Sequence, residues 1–502
     1  MLFNSYVFVF LFLPVTLFLW YGLNRLGLSR AAQAALAVLS LVFYGYEKPV
    51  YVLLILCSVL GNWCISGAIA RIDAGKESVL SRRRAGTLFG VLGIGLNLGL
   101  LFYFKYYDFF VGNLNRLPGV EFALKHIALP LGISFFTFQQ ISFMADRMRR
   151  TAPHYALPDY LNFVTFFPQL VAGPIVNHGE LAPQFEEIGA GTRVRERNLL
   201  DPGQVQKGLC LFAAGLAKKV LLADKLGVLV DYGYGHTAGL DAVGAFIVML
   251  AYTFQIYFDF SGYSDMAVGL GWMFGIRLPR NFDSPYRAHS VGEFWNRWHM
   301  TLNAFFTRYV YIPLGGSRRG MTKKLRNIMI VFLLSGIWHG AAWSFVLWGA
   351  AHGLMLCLEN LPAVERLSSR LRWFVTFLFV NLAWVLFRSG SLGGAMQFYR
   401  RLFSFTYNGS VWELTKQVRA SWNYPLQRIA ERMFGAEALP VLFLVLSVLL
   451  LLAAAALCCG RNAYDVITER EVSGWQAWGF TALFALSVFS FSGVTAFLYF
   501  NF

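Results

Sequence analysis

Long apolar runs separated by short polar segments fill the 502-residue chain. About 20 apolar residues form a helix long enough to cross a bilayer. The stretches that approach this length are 5–23, 31–46, 51–70, 86–104, 127–145, 158–176, 207–229, 242–258, 261–276, 327–348, 371–388, 440–459 and 475–495. Some are short or interrupted by Gly and Pro, so the pattern predicts roughly 10 to 13 true spans.

The composition agrees with this pattern. The chain is 57% hydrophobic and only 14% charged, and its mean hydropathy is +0.52. These values are far from those of a soluble globular protein. We therefore predict an all-α polytopic membrane protein that forms a single membrane domain over residues 1–502.

Basic residues predict the orientation of the spans. Arg25 and Arg30 follow the first span, and Arg71 and Arg82 flank the segment after the third, whereas the segment between the second and third spans is nearly neutral. Lys and Arg collect on the cytoplasmic side of membrane proteins, so the N-terminus is predicted to face outward. The first span lacks a basic leader and a small-residue cleavage site, so it is expected to be retained.

The net charge of +16 has the same origin, because the basic residues cluster at the ends of spans and in short loops. No nucleic-acid partner is therefore expected. The chain has eight His and six Cys, but no HExxH, CxxC or GxSxG motif. The sequence thus predicts neither a metal site nor a serine hydrolase.

His339 is the first candidate for chemistry, in the motif Ile337-Trp338-His339-Gly340 about midway along the apolar run 327–348. A continuous helix over this run would place the imidazole near the middle of the bilayer. An ionisable side chain there is costly, so a functional role is the default hypothesis, and histidine suits proton transfer near neutral pH. The alternative is a neutral His that is hydrogen-bonded to a neighbouring helix.

A second candidate is the segment 290–308, where Ser290 and Glu293 form a capping box that predicts a helix start. On this interfacial helix Asn296, His299 and Asn303 would form a narrow polar stripe beside an aromatic face. His299 would then lie on a partly submerged helix. The alternative is that the stripe merely faces water.

A third polar cluster, Asp259, Ser261 and Asp265, lies between two apolar runs. One helix cannot present residues six positions apart on a single face, and Gly262 favours a break. We therefore predict a broken helix that lines a protein-enclosed cavity, where irregular backbone is tolerated at membrane depth. The longest polar interruptions, 177–207 and 389–439, are predicted to be loops.

Several of these segments together resemble the membrane-bound O-acyltransferase (MBOAT) family. The motifs that carry the resemblance are 257–267 (YFDFSGYSDMA), 293–299 (EFWNRWH), 338–340 (WHG), 129–135 (LPLGISF) and 167–174 (FPQLVAGP). They occur in the right order, and the likeness extends over nearly the whole chain. Within the family the chain is most similar to the branch that contains the integral-membrane subunit of bacterial alginate O-acetylation.

The resemblance implies a helical bundle, with re-entrant or interfacial helices, around a funnel or cavity that reaches the bilayer interior. His339 takes the place of the family's histidine at the base of this cavity, and His299 takes the place of a second histidine found in this branch. The residues expected to line the cavity or contact substrate are Asn296, Asn303, Trp338, Asp259, Ser261 and Asp265.

The same resemblance implies an O-acetyltransferase of the bacterial inner membrane. The expected donor substrate is cytoplasmic acetyl-CoA, with no bound cofactor. The expected acceptor is a cell-surface polysaccharide, either an exopolysaccharide such as alginate or cellulose, or peptidoglycan. The chain lacks the Gly-Asp-Ser block of SGNH-type proteins, so an extracytoplasmic SGNH-type partner is expected to complete the transfer. The aromatic segment 489–502 could dock this partner, although an interfacial belt is the simpler account.

The residues alone leave open both the chemical mechanism and the identity of the transferred group. His339 could act as a general base or could be acylated directly, and His299, Asn296 or Asn303 could orient it or stabilise an oxyanion. One rival is D-alanyl transfer from a carrier protein to teichoic acid. A rival of another class is a proton-coupled transporter or flippase with His339, Asp259 and Asp265 as a proton relay.

Overall fold

The computed structural model describes residues 1–76, 78–192, 201–420, 424–469, 471–491 and 497–498. These residues form helices joined by turns and short loops, which confirms the predicted all-α membrane fold. In the N-terminal part the helices are α1 (Leu13–Arg25), α2 (Ser29–Gly45), α3 (Val50–Ala74), α4 (Val79–Leu101), α5 (Tyr107–Leu114), α6 (Ile133–Met148), α7 (Leu157–Thr165), α8 (Phe167–Leu170) and α9 (His178–Gly189).

The central part carries the candidate residues, and its helices are α10 (Pro202–Ala217), α11 (Asp224–Gly235), α12 (Ala242–Met273), α13 (Val291–Arg297), α14 (Met300–Phe306), α15 (Met321–His339) and α16 (Trp343–Leu358). The C-terminal helices are α17 (Pro362–Glu365), α18 (Ser369–Arg388), α19 (Leu392–Leu402), α20 (Ser410–Ala420), α21 (Tyr424–Phe434), α22 (Leu439–Cys459), α23 (Ala463–Thr468) and α24 (Gly474–Phe489). Wider π-helical turns occur at Phe8–Phe12, Phe102–Tyr106, Lys218–Ala223 and Thr307–Tyr311.

Six helical segments of the described chain are long and apolar enough to cross a membrane. They are Phe8–Arg25, Val50–Ala74, Val79–Leu114, Ala242–Met273, Ser369–Arg388 and Leu439–Cys459. The number is below the predicted range of roughly 10 to 13 because several apolar stretches form shorter helices. Helices α2, α6 and α10, for example, have 17, 16 and 16 residues.

Helix α12 lies at the centre of the bundle, where it is mostly buried and packs against α10 and α11. The predicted break at 257–265 is wrong, because α12 runs without interruption through this segment. Gly262 serves close helix packing instead: a Cβ atom there would lie 2.7 Å from the carbonyl oxygen of Gly215 on α10. Small residues at such contacts let two transmembrane helices approach closely.

The segment 290–308 is not one helix. Ser290 caps α13 as predicted, with its side chain accepting a hydrogen bond from the Glu293 amide, but α13 ends at Arg297 and α14 begins at Met300. His299 separates them in the left-handed conformation, with φ 45° and ψ 51°. A non-glycine residue seldom adopts this conformation, so the helical stripe of Asn296, His299 and Asn303 does not form.

The run 327–348 also differs from its prediction, because the helix that holds His339 ends at this residue. Gly340 and Ala342 are extended, and α16 returns antiparallel to α15. Two glycines allow the close contact: a Cβ on Gly349 would lie 2.3 Å from the carbonyl oxygen of Phe332, and one on Gly336 would lie 2.4 Å from that of Phe345. His339 therefore lies at the tip of a helical hairpin.

The segments predicted to be polar loops are partly helical. The segment 389–439 contains α19, α20 and α21, and α19 buries Ala395 and Phe398 while its other face stays exposed. One-sided burial of this kind lets a polar sequence form a surface helix. The segment 177–207 begins with α9. Residues 421–423 and 193–200 of these segments lie outside the described residues, as do 492–496 and 499–502 of the aromatic segment 489–502.

Candidate active site

The His339 side chain is buried among aromatic rings, with 3% of its surface exposed. The centroid of its ring lies 4.9 Å from that of Trp338, 5.1 Å from that of Trp348 and 5.2 Å from that of Phe387. Trp348 lies on α16 and Phe387 on α18, so three helices hold the imidazole. Their tight packing restricts the ring to a narrow range of orientations.

The backbone around His339 is held from a different direction. The Nζ atom of Lys105 donates hydrogen bonds to the carbonyl oxygens of Trp338, at 2.6 Å, and of His339, at 3.1 Å. The hydroxyl of Tyr106 donates to the carbonyl oxygen of Ile337 at 3.0 Å. Both side chains come from the π-helical turn Phe102–Tyr106. The end of α15 is therefore capped by side chains from another part of the chain.

His299 is fully buried beside this cluster. Its Nδ1 atom lies 3.1 Å from Oδ1 of Asn281, and its ring meets Phe260 of α12 edge-on with centroids 4.7 Å apart. The Nδ2 atom of Asn281 donates to Oγ of Ser264, also on α12, at 3.3 Å. Phe260 and Ser264 are four positions apart and so share the face of α12 that is turned towards the site.

Trp338 joins the two histidines. Its ring centroid lies 6.1 Å from that of His299 and 4.9 Å from that of His339. The ring of Phe135 on α6 packs against Trp338 at 5.8 Å and stacks with His299 at 6.5 Å. The structure thus brings three predicted site residues, His299, Trp338 and His339, into one buried aromatic cluster.

A cavity of about 260 Å³ reaches the polypeptide directly after His299. Met300 and Thr301 form part of its wall, and Arg280, Arg308 and Tyr309 line it elsewhere. Thr301 Oγ1 donates to Asn281 Oδ1 at 3.0 Å, which links the cavity wall to the partner of His299. The arginines of the wall are themselves anchored: Arg308 pairs with Asp146 at 2.8 Å and Arg280 with Asp465 at 2.9 Å.

The two aspartates of α12 lie on a different face from Phe260 and form ion pairs with neighbouring lysines. Lys219 Nζ lies 2.6 Å from Asp259 Oδ1, and Lys218 Nζ lies 2.6 Å from Asp265 Oδ2. The backbone amide of Leu498 also donates to Asp259, at 3.0 Å. Both carboxylates therefore connect α12 to the π-helical turn after α10, and their observed contacts do not lead to the histidines.

The other predicted site residues have separate surroundings. Ser261 is buried in α12, and its Oγ atom has no hydrogen-bond partner among the residues that the structure describes. Asn303 Nδ2 donates to Asn296 Oδ1 at 3.2 Å across the turn between α14 and α13. Asn296 is exposed and Asn303 partly buried, so their polar groups face outward while His299 turns inward.

Sequence reasoning missed Asn281, Lys105 and Tyr106. Asn281 lies in the loop after α12, where no periodic pattern distinguishes it from a surface residue. Lys105 did carry a signal, because it lies inside the candidate span Val79–Leu114 and a charge within a span points to function. The predicted span ended at residue 104, one position before it. Within the described residues no group of three or more His, Cys, Asp or Glu side chains could hold a metal ion.

The fold and the site together define an integral membrane protein with a buried pair of histidines beside a cavity. The chain belongs to the membrane-bound O-acyltransferase (MBOAT) family, whose profile matches residues 132–390, and it is an O-acyltransferase. The match spans α6 to the end of α18 and so includes every residue of the aromatic cluster.

Characterised relatives extend the similarity beyond this region. The chain is 35% identical over 540 residues to a peptidoglycan O-acetyltransferase of Helicobacter pylori, an alignment that covers 100% of this chain and 98% of the relative. It is 39% identical over 432 residues to a probable alginate O-acetylase of Pseudomonas aeruginosa, with 84% and 78% covered. A teichoic acid D-alanyltransferase of Streptococcus thermophilus is 30% identical over 244 residues, with 46% and 56% covered. The predicted family resemblance is confirmed.

Proposed function

We propose that this protein takes an acetyl group from cytoplasmic acetyl-CoA and passes it across the inner membrane for O-acetylation of a cell-surface polysaccharide or peptidoglycan. The observation that carries the proposal is that His299 and His339 both pack against Trp338 in one buried cluster, with a cavity that begins at the residues after His299. Two relatives have alignments that cover most of this chain, and their names support acetyl as the transferred group and a polymer of the cell envelope as the acceptor.

His339 is the proposed catalytic residue and acts as a general base. The hydroxyl oxygen of the acceptor attacks the thioester carbonyl carbon while the neutral imidazole removes the hydroxyl proton. The new carbon–oxygen bond forms, the carbon–sulfur bond breaks, and the proton passes to the thiolate, which leaves as free CoA. In the covalent alternative the imidazole nitrogen attacks the thioester carbon first, the carbon–sulfur bond breaks and CoA leaves as the thiol. The acceptor oxygen then displaces the imidazole from the acetyl group, and the hydroxyl proton passes to the freed ring nitrogen.

His299 is proposed to assist from its place beside Trp338, by orienting the reacting groups or, when its ring is protonated, by donating from Nε2 to the oxyanion. The cavity beside Thr301 is the proposed route for the thioester. Its wall contains Arg280 and Arg308, and positive charge attracts an anionic donor. By the positive-inside rule this side is cytoplasmic, with the N-terminus outside.

Thioester consumption by the purified protein in nanodiscs, with an SGNH-type partner and a polysaccharide acceptor present, tests the proposal. Wild type is expected to release CoA from radiolabelled acetyl-CoA, and His339→Ala is expected to lose at least 10²-fold in rate. His236→Ala is the matched control, because this histidine is exposed at the end of α11. Label that stays on wild type quenched rapidly in denaturant at neutral pH, but not on His339→Ala, would favour the covalent route. A well-folded His339→Ala variant with wild-type turnover would disprove the role of His339.

The partner and the acceptor belong to the same proposal. An SGNH-type extracytoplasmic protein would supply the hydroxyl that first accepts the acetyl group, and it would then pass the group to the polymer. Co-expression of this chain with such a protein in cells that make alginate, acetylated cellulose or peptidoglycan, followed by ester analysis of each polymer, identifies the acceptor. Ester formation without any added partner would show that the partner is unnecessary.

D-alanyl transfer to teichoic acid is the second candidate. It rests on the partial similarity to the D-alanyltransferase, which covers less than half of this chain. Turnover with carrier-bound D-alanine and none with acetyl-CoA would favour it. A proton relay through Asp259 and Asp265, as a transporter would need, finds no support in their ion pairs with Lys219 and Lys218.

A further inference from the structure

We infer that Lys105 and Tyr106 are positioning residues that hold the last turn of α15, and with it the imidazole of His339, in the place that the reaction needs. This inference rests on the proposed function, since it takes His339 as the reacting group. It concerns how that group is held, which neither the family motifs nor the aromatic packing explains.

The end of α15 needs hydrogen-bond donors from outside the helix. The last four carbonyl groups of an α-helix lack donors within the helix. In α15 the amide of Gly340 donates to the carbonyl oxygen of Gly336 at 3.4 Å. Tyr106 supplies the donor for Ile337, and Lys105 supplies donors for Trp338 and His339. Every carbonyl of the last turn is thus bonded, and two side chains from one remote turn supply three of the four.

Lys105 lies within the candidate membrane span Val79–Leu114. An ammonium group inside a transmembrane segment is expensive and needs partners. Its three N–H groups meet three acceptors, because Oγ of Ser134 lies 3.4 Å away in addition to the two carbonyl oxygens. The charge also lies at the C-terminal end of α15, where the helix dipole is negative and attracts a cation. Lys105 is therefore stabilised by the same helix end that it holds.

The segment that carries Lys105 and Tyr106 departs from α-helical geometry. The turn Phe102–Tyr106 is π-helical, and such turns re-aim side chains and occur often at functional sites. Helix α5 follows and continues along the same corner: Asn113 accepts a hydrogen bond from Trp343 Nε1 at 2.9 Å, and Phe109 packs edge-on against Trp343. The segment 102–114 therefore contacts the connection between α15 and α16 at both of its ends, from Ile337 to Trp343.

Loss of these hydrogen bonds would affect the reaction by letting the imidazole of His339 move. A reacting group that moves by about 1 Å can lose 10²-fold in rate although its chemistry is intact. Lys105→Met keeps most of the side-chain volume but removes the donors and the charge. We expect kcat to fall by about 10²-fold while KM for acetyl-CoA changes little. Lys105→Arg keeps a cationic donor and should restore part of kcat, and Tyr106→Phe should lower kcat by a smaller factor.

The experiment compares these variants with Lys125→Met. Lys125 is an exposed lysine near the same segment that stacks over Tyr103 and Tyr107, so the substitution is chemically identical. Turnover of acetyl-CoA gives kcat and KM, and hydrogen exchange measured by mass spectrometry follows the backbone amides from Gly336 to Trp343. We expect faster exchange in this segment for Lys105→Met and Tyr106→Phe, and wild-type behaviour for Lys125→Met.

The outcomes separate the inference from the proposed function. If wild type does not use acetyl-CoA, the proposed function fails, but faster exchange in Lys105→Met still supports the hold on α15 and unchanged exchange overturns it. If wild type is active, a folded Lys105→Met variant with wild-type kcat overturns the inference. Should Lys105→Met not fold, Tyr106→Phe and Lys105→Arg carry the test: wild-type kcat and exchange in Tyr106→Phe would overturn it.

Discussion

The Nδ1 atom of His299 lies 3.1 Å from the Oδ1 atom of Asn281. The same oxygen accepts hydrogen bonds from the amide and the hydroxyl of Thr301, at 3.3 Å and 3.0 Å, which identifies it as the oxygen of the Asn281 amide. Because an amide oxygen only accepts, the network assigns the hydrogen of the neutral imidazole to Nδ1. The Nε2 atom is then the nitrogen that can take a proton.

Asn281 substitutions should therefore change the chemistry of His299. Asn281→Leu removes the acceptor and releases the tautomer, so we expect acetyl-CoA turnover to fall by about 10²-fold, the size of a typical acid–base contribution. Asn281→Asp keeps an acceptor and adds a negative charge that stabilises the protonated ring, so part of the activity should remain with the optimum moved to higher pH. Steady-state rates from pH 5 to 9 check both. Equal losses and an unshifted optimum in the two variants would contradict the assigned tautomer.

The buried pair of Lys219 and Asp259 should matter for stability. Lys219→Met removes this cation from two carboxylates, Asp259, which is 3% exposed, and Asp224, which lies 2.8 Å from the same ammonium group. We expect the free energy of unfolding to fall by about 3 to 5 kcal/mol. The double variant Lys219→Met/Asp259→Leu should be less destabilised than the single one. Lys416→Met, which breaks an exposed ion pair with Glu413, should change little. Thermal unfolding in detergent measures the stability of all three variants. A double variant that is less stable than Lys219→Met would contradict the expectation.

The close glycine contact between α15 and α16 should not tolerate the addition of even one methyl group. Gly349→Ala would place a Cβ 2.3 Å from the carbonyl oxygen of Phe332, so the helices must separate. We expect a loss of about 1 to 3 kcal/mol and lower activity, because α15 carries His339. Gly61→Ala is the control, since a Cβ there meets nothing within 4 Å. Similar melting temperatures for the two variants would show that the hairpin is more adaptable than its geometry indicates.

Asp241 should give the protein an acid-sensitive stability. Burial alone would raise the pKa of this carboxyl at the start of α12, but hydrogen bonds from Gly244, Asn408 and Ser410 outweigh it and lower the pKa. The pKa of an aspartate in the unfolded chain is about 3.9, and the folded pKa of Asp241 lies below it. The carboxylate therefore stabilises the folded protein at pH values above about 3.9, and this contribution is lost as the pH falls through the folded pKa.

The pH dependence of unfolding for wild type and Asp241→Asn tests this linkage. At pH 6 wild type should be the more stable, since its carboxylate ties the segment Asn408–Ser410 to α12. Towards pH 3 the gap in melting temperature should shrink as the carboxylate becomes protonated. A constant gap over this range would show that the charge of Asp241 does not contribute.

Much of the fold could be predicted because hydrophobic length is a local property of the chain. The candidate histidines could be found for a related reason, since His339 and His299 are titratable groups in apolar or aromatic surroundings. Their packing against Trp338 could not be deduced from spacing, because they are 40 residues apart and His299 lies in the turn before α14 whereas His339 ends α15. The ordered motifs of the family supplied that link.

The helix breaks could not be predicted because they depend on tertiary partners. Gly262 suggested a break, but the facing Gly215 turns it into a point of close packing. The apolar run around Gly340 suggested one helix, but both arms of the hairpin are apolar and hydropathy alone cannot distinguish them. The left-handed His299 interrupts a sequence with good helix periodicity, and Asn281 and buried aromatic rings hold it there.

The hairpin of α15 and α16 also affects how the protein enters the membrane. Its two ends lie together, because Lys324 near the start of α15 donates to Asn360 just after α16. A hairpin that begins and ends on one side of the membrane leaves the orientation of every later span unchanged. Its insertion therefore does not alter the topology of the protein. A reporter fused before Met321 and a reporter fused after Leu361 should therefore be found in the same compartment, and α18 should keep its direction when the hairpin is deleted.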